Sequence, residues 1–343
     1  MTGDVSDTSF TSSRLFQSPN DSVLLVDIPR SIEESQVPPG QSPTRRLISA
    51  PAATEPFVVP EPRYGDGGAR SQAAQVADLM TEAAVDHALN TIVEQHDGPW
   101  CLPRILSSSS QEKISGLTQY IPGGAQYVQA SLQDSAQDFA GRAPCFDLVV
   151  LDPPWPNRSA RRRSNKYDTV KDMTEMRQLL SHVPIHSHLA PNGIVAVWVT
   201  NKESILDFVL SPGGLFSSWG LQLVSEWTWL KVTSSGDPIT PLDSAWRKPW
   251  EKLLIASRGD TPKHPNLTLP RVLIAVPDVH SRKPSLRGVF EEILGQEYIG
   301  LEVFARNLTA GWWAWGNEVL RFQGIEHWVV DERASHCERR LKS

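Results

Sequence analysis

The chain has few cysteines, no long apolar run and no excess of positive charge, and each shortage excludes a class of protein. Three cysteines among 343 residues, Cys101, Cys145 and Cys337, stand far apart with no C-x-x-C spacing. That argues against a disulfide framework or a zinc site, and for a reducing compartment. No apolar stretch approaches the ~18 residues of a membrane span, and residues 1–10 lack the apolar stretch of a signal peptide, so neither is expected. Net charge is −6, so no global basic field draws the chain to nucleic acid and any such contact has to be local. The nine histidines, His182, His186 and His188 among them, show no H-E-x-x-H or similar spacing, and no metal is assigned. No G-x-G-x-x-G or P-loop follows an apolar run, which removes the usual nucleotide fingerprints.

What is present is organised around residues 146–155, Phe-Asp-Leu-Val-Val-Leu-Asp-Pro-Pro-Trp. Asp147 aside, the run to Leu151 is branched or aromatic, as in a strand covered on both faces of an α/β sheet, and Asp152-Pro153-Pro154-Trp155 stops it. The motif therefore sits at a strand's carboxyl end, where open α/β sheets bind their ligands. Its residue types suit transfer to the exocyclic amine of a nucleobase. Such an amine is a poor nucleophile because its lone pair is delocalised into the ring, and it needs acceptors for its N–H bonds. Asp152 supplies one. Pro153, with fixed φ and no N–H, can hold its carbonyl as a second, and Trp155 offers a face for the base. The bland alternative is an Asp-initiated Pro-Pro turn with a Trp packed beneath it.

The rest of the chain reads in order. Residues 1–75 are rich in Ser, Pro, Thr and Gly and are expected to be a largely disordered arm, with the burst Val23-Leu24-Leu25-Val26-Asp27-Ile28 as a short strand or docking segment. Residues 76–125 read as a helical and loop connector. Apolar positions 76, 79, 80, 84, 85, 88, 89 and 92 predict a helix over 73–95, and Tyr127-Val128 predicts an edge strand. An α/β catalytic domain is expected over 126–332 and a flexible tail over 333–343. Within the domain the pattern predicts helices at 173–189, 204–216 and 286–294, and strands at 193–200, 221–232, 252–257, 272–276 and 298–304. Strands alternating with helical stretches mean a doubly wound sheet.

A second apolar strand ends in polar groups at Leu301-Glu302-Val303-Phe304-Ala305-Arg306-Asn307. A donor such as S-adenosylmethionine needs acceptors for its ribose, a cation for its carboxylate and an anion near its amine. Glu302, Arg306, Asn307, Asn317, Glu318 and Lys283 offer these groups, although each taken singly is more often a surface or capping residue. The loop 158–166 carries five cations in nine residues, Arg158, Arg161, Arg162, Arg163 and Lys166. A charge run is usually a solvated face, but beside a base pocket in an acidic chain it reads as a phosphate clamp. Trp312-Trp313-Ala314-Trp315 reads as core under the sheet or as a stacking platform.

At these residues the sequence resembles the eukaryotic N6-adenosine methyltransferase family built on the seventy-kilodalton catalytic subunit, and within it the methyltransferase-like protein four branch. The resemblance covers about 125–330. It rests on Asp152-Pro153-Pro154-Trp155 with Asn157 and Ser164-Asn165-Lys166-Tyr167, on Trp198-Val199-Thr200-Asn201, on Pro241-Leu242-Asp243-Ser244 with Lys248-Pro249, on His280-Ser281-Arg282-Lys283-Pro284, and on Glu302-Val303-Phe304-Ala305-Arg306-Asn307 with Gly316-Asn317-Glu318. It implies a Rossmann-like α/β fold with a permuted order, the catalytic motif preceding the main donor-binding motif. It implies S-adenosylmethionine as cofactor, with Asp152 touching both the donor's amino group and the target amine. Lys283 and Arg306 would meet the donor's carboxylate and ribose, Asn317 and Glu318 its ribose and adenine side, and Glu302, Phe304 and Asn307 would line its site. Asn157, the loop cations and Tyr167 would hold nucleic acid. Arg282 stands where relatives often carry His.

The substrate the resemblance implies is RNA first and DNA second, with 2′-O-methyladenosine in a small nuclear RNA as the target of the nearest branch. The implied compartment is the nucleus, alone or with the cytoplasm. A catalytically silent nucleic-acid-binding subunit is the rival from another class. The intact Asp152, Trp155, Lys283 and Asn317 favour the enzyme.

Overall fold

The computed structural model of the chain describes residues 12–58, 71–107, 118–156, 170–244, 247–259 and 264–331. The elements in chain order are β1 (Arg14–Gln17), β2 (Val23–Val26), α1 (Ile28–Ser35), β3 (Arg45–Leu47), α2 (Gln72–Gln95), β4 (Gln126–Val128), α3 (Leu132–Arg142) and β5 (Phe146–Leu151). There follow α4 (Met173–Ser181), α5 (Ile185–His188), β6 (Leu189–Val199), α6 (Glu203–Leu210), α7 (Leu215–Ser218), β7 (Gln222–Lys231) and β8 (Trp250–Ser257). The last are β9 (Val272–Ala275), α8 (Arg287–Leu294), β10 (Gly300–Val303), β11 (Trp313–Trp315) and β12 (Trp328–Val330).

Ten of the strands make one sheet in the order β1-β2-β9-β7-β8-β6-β5-β10-β11-β4, and β3 pairs with β12 apart from it. Neighbours in the large sheet run parallel except β1 against β2, and β8, which opposes both β6 and β7. The unbroken apolar runs follow from covering both faces. Along β5, Val149 and Leu151 point into one core with Phe139, Met176, Leu180 and Phe208, while Leu148 and Val150 point into the other with Ile28, Ile32, Val289 and Phe290. Under α2, Val85, Ala88 and Ile92 pack on Val23, Leu25, Leu230 and Ile274.

The expected disorder of residues 1–75 is overturned over 12–58. β2 lies fully buried beside β9, β1 extends the sheet, and α1 and β3 pack behind it. The folded unit therefore starts well upstream of 126. Averaged polar composition concealed short elements held by specific bonds. Asp27 caps α1 by accepting from the Arg30 N–H at 2.9 Å, and buried Glu33 accepts from the Leu47 N–H at 2.9 Å. The helix predicted over 173–189 is two, parted at Pro184, and that over 204–216 is two, parted at Pro212-Gly213-Gly214, where Gly213 takes φ +79°. The predicted edge strand is β4, which closes one edge of the sheet. α3, capped by Ser131, has no counterpart in the sequence reading.

β5 and β10 are neighbours, with Leu151 level with Val303. From β5 the chain passes to β6 on one side, and from β10 to β11 on the other. Their carboxyl ends thus meet at a switch point, where diverging connections leave a crevice.

Candidate active site

Asp152 leaves β5 at this crevice, and its N–H reaches the Val303 carbonyl at 3.4 Å. The two prolines turn the chain tightly. The Pro153 carbonyl, expected to await an amine, accepts the Trp155 N–H at 2.8 Å, which leaves it one further lone pair. Trp155 is half-buried, its indole N–H donating to the Trp198 carbonyl at 2.8 Å and its ring meeting Phe208 edge to face at 6.1 Å. Motif and neighbouring strand end are thereby locked together.

Lys283 organises the charges. Its ammonium donates to both Asp152 oxygens at 3.1 Å and lies 3.1 Å from Glu251 Oε2, between the rings of Trp198 and Trp229 at 5.6 and 5.9 Å. Glu251 also pairs with Lys231. Burial alone would raise the Glu251 carboxyl, but the two lysine cations outweigh it and hold the pKa at about 2. Burial likewise opposes the Lys283 charge, and the facing Asp152 and Glu251 carboxylates overcome it and raise its pKa. A cation balanced by two carboxylates attracts a ligand carboxylate weakly. Arg306, 3.6 Å from Asp152 Oδ2, is the less compensated of the two expected cations.

A cleft opens beside Asp152, lined by Lys283, Glu302, Phe304, Arg306 and Asn307 among others. Burial and the Asp152 charge push the Glu302 carboxyl up to about 7, with Arg306 and Lys283 opposing. Two of the three non-glycine residues with positive φ among those described, Ser281 and Phe304, line this cleft, both at φ +63°. Such strain collects where a site constrains the backbone. Phe304 donates its N–H to the Trp315 carbonyl at 2.7 Å, and a Cβ on Gly316 would stand 3.2 Å from the Phe304 Cα, so glycine there permits the approach. Asn317 and Glu318 follow. Asn317 is exposed, and Glu318 accepts from Arg321 at 2.7 and 2.9 Å, its carboxyl raised by burial against the nearby Arg306. The cleft's mixture of cations and acceptors fits a zwitterionic amino acid carrying a ribose.

The structure thus brings together Asp152, Lys283, Glu302, Phe304, Arg306 and Asn307. Asn157, Arg158, Arg161, Arg162, Arg163, Lys166 and Tyr167 lie outside the described residues. Trp315 is core: it stacks on Phe139 at 4.1 Å and donates to Ser135 Oγ at 2.8 Å. Glu251, Lys231, Trp198, Trp229 and His280 were missed as site residues. A carboxylate just inside the apolar strand β8 was the available signal, but only the antiparallel register that sets Glu251 level with Trp229 shows where it points. Burial, and then Lys231 and Arg306, hold the His280 pKa below its ordinary value.

The MT-A70 family model matches residues 146–318. The N6-methyladenosine RNA methyltransferase MTA1 of Cryphonectria parasitica is 47% identical over 323 residues, covering 92% of this chain and 94% of that protein. The protein of that name from Pyricularia oryzae is 43% identical, over 95% of this chain and 98% of its own length. The N(6)-adenine-specific methyltransferase METTL4 of Homo sapiens is 36% identical over 200 residues, covering 55% of this chain and 41% of that protein.

Proposed function

The chain belongs to the MT-A70 family and is an N6-adenine methyltransferase of nucleic acid; from that premise we propose that its substrate is RNA, its methyl donor S-adenosylmethionine and its acting carboxylate Asp152. RNA is favoured because the relatives matched along almost the whole chain bear the name of RNA methyltransferases. The observation that carries the site is the Asp152 carboxylate, held between Lys283 and Arg306 at the lip of the cleft.

When bound, S-adenosylmethionine supplies an electrophilic methyl group. Arg306 and Asn307 would hold its amino-acid end and Glu302 its hydroxyls, with Phe304 as the wall. Asp152 has four lone-pair positions, so its oxygens can keep Lys283 and still accept an adenine N6–H. That bond turns the amine lone pair out of the ring, and the same carboxylate can take the proton shed as the N–C bond forms. Trp155, fixed by the Trp198 carbonyl, stacks the flipped base, a contact worth roughly 1–3 kcal/mol.

The test incubates the purified chain and donor with RNA and DNA oligonucleotides, followed by nucleoside mass spectrometry. N6-methyladenosine in RNA is expected. Product in DNA alone overturns the RNA assignment, and the doubly methylated nucleoside alone assigns 2′-O-methyladenosine as the target. We propose nuclear residence, alone or with the cytoplasm. A fluorescent fusion excluded from the nucleus overturns it.

A further inference from the structure

Lys283 sits in a segment without regular structure between β9 and α8, yet its ammonium is held by four side chains. Something has to fix the backbone beneath it, the more so because Ser281 is strained at φ +63°. The neighbouring side chain, Arg282, is anchored in a buried ion pair. Arg282 Nη1 donates to Asp278 Oδ2 at 2.5 Å and to the Ile48 carbonyl at 3.2 Å, with its guanidinium 4.3 Å from the centre of the Phe322 ring. The pair is sealed from water, the two side chains 2% and 0% exposed. Asp278 Oδ1 accepts the Ala50 N–H at 2.7 Å and faces Arg104 Nη1 at 3.5 Å, and Arg104 Nη2 donates to the Val276 carbonyl at 3.0 Å. One buried carboxylate thus compensates two guanidinium groups and ties the segment to Ile48, Ala50 and Arg104, all upstream of the family match at 146–318.

We propose that Asp278 and Arg282 are positioning residues, through which the N-terminal segment at Ile48 and Ala50 sets the Lys283 ammonium on Asp152. Arg282 and Lys283 are consecutive, so any shift of the buried guanidinium moves the lysine stem in the cleft. The residues before 146 are then part of the active site's construction. The consequence for methyl transfer rests on the cleft being the donor site; the consequence for Lys283 does not.

Two readouts separate these. The first is acylation of Lys283 by an amine-reactive ester, followed by peptide mass spectrometry in wild type, Asp278→Asn and Ala50→Pro. Ala50→Pro removes a single N–H donor and serves should Asp278→Asn fail to fold. Lys283, 15% exposed, should react slowly in the wild type, and both variants that keep the wild-type circular dichroism are expected to react several-fold faster. An unchanged rate overturns the proposal whatever the cleft binds. The second is methyl transfer from S-adenosylmethionine to an RNA oligonucleotide. Lys283 holds the Asp152 carboxylate, and misplacing a catalytic group by about 1 Å can cost up to 10²-fold in rate, so Asp278→Asn should lower kcat by about tenfold or more and have no added effect on Lys283→Met. A loss that persists undiminished in the Lys283→Met background means the pair acts on the fold at large and overturns the positioning role. Wild type that transfers no methyl group, with Lys283 protection still dependent on Asp278, overturns the proposed reaction at the cleft alone.

Discussion

Glu302 should make donor binding depend on pH near neutrality. It stands on β10 level with Val150 and faces Asp152, Arg306 and Lys283, and burial followed by the Asp152 charge brings its carboxyl from 4.5 up to about 7. An anionic Glu302 accepts hydroxyls or attracts a cationic amine; a protonated one does neither well. If the donor takes the ionised form, its apparent Kd should rise about elevenfold at pH 6 and about a hundredfold at pH 5 over the alkaline plateau, from the fraction ionised. Stability carries the same signature with a definite sign. Between pH 4.5 and 7 the folded chain holds a proton that the unfolded chain has lost, so this group's contribution to stability falls as pH rises through that window. The gap from 4.5 to about 7 corresponds to about 3 kcal/mol. Glu302→Gln should therefore stabilise at pH 8 by up to about 3 kcal/mol and change little at pH 4.5. It should also flatten the pH dependence of donor binding in calorimetry. His280 titrates below its usual value close by, so His280→Asn is the control. A flat wild-type Kd from pH 5.5 to 8, or a slope that survives in Glu302→Gln, would refute the reasoning.

Asp152→Ala should lower kcat by about 10²-fold or more with an unchanged circular dichroism spectrum, because Glu251 remains to balance Lys283; near wild-type turnover removes the carboxylate from the chemistry. Trp155→Phe should cost about 1 kcal/mol of stability through the lost bond to the Trp198 carbonyl, read by urea unfolding, while Trp155→Ala should also weaken the target by roughly 1–3 kcal/mol. The depressed Glu251 carboxyl gives stability that is present above pH 4.5 and lost as pH falls towards 2, so Glu251→Gln should destabilise at pH 7 far more than at pH 3; equal losses at both would reject the ion-pair account. Replacing Arg161, Arg162 and Arg163 by Ala should flatten the slope of log K for single-stranded RNA against log salt by roughly 2, and an unchanged slope returns that loop to a solvated face.

The sequence by itself determined the buried strands at 146–151 and 194–199, the helix over 73–95 and the stop at Asp152. Period, β-branching and proline are local properties, and a strand covered on both faces declares itself by lacking polar alternation. It also marked Glu302, Arg306 and Lys283 as chemistry-bearing. Tertiary structure alone decided that β1 and β2 belong to the large sheet, since burial of Val23–Val26 depends on β9, some 250 residues away. It alone decided that Lys283 rests on Asp152 and Glu251, because 131 residues separate lysine from aspartate and no periodicity spans that distance. The Glu251 charge is read only through the antiparallel register of β7 and β8, and Arg282 proves to be held by Asp278 and the Ile48 carbonyl. Charge pairing between remote strands is set by where the chain crosses the sheet, and that is a property of the fold and not of any stretch of residues.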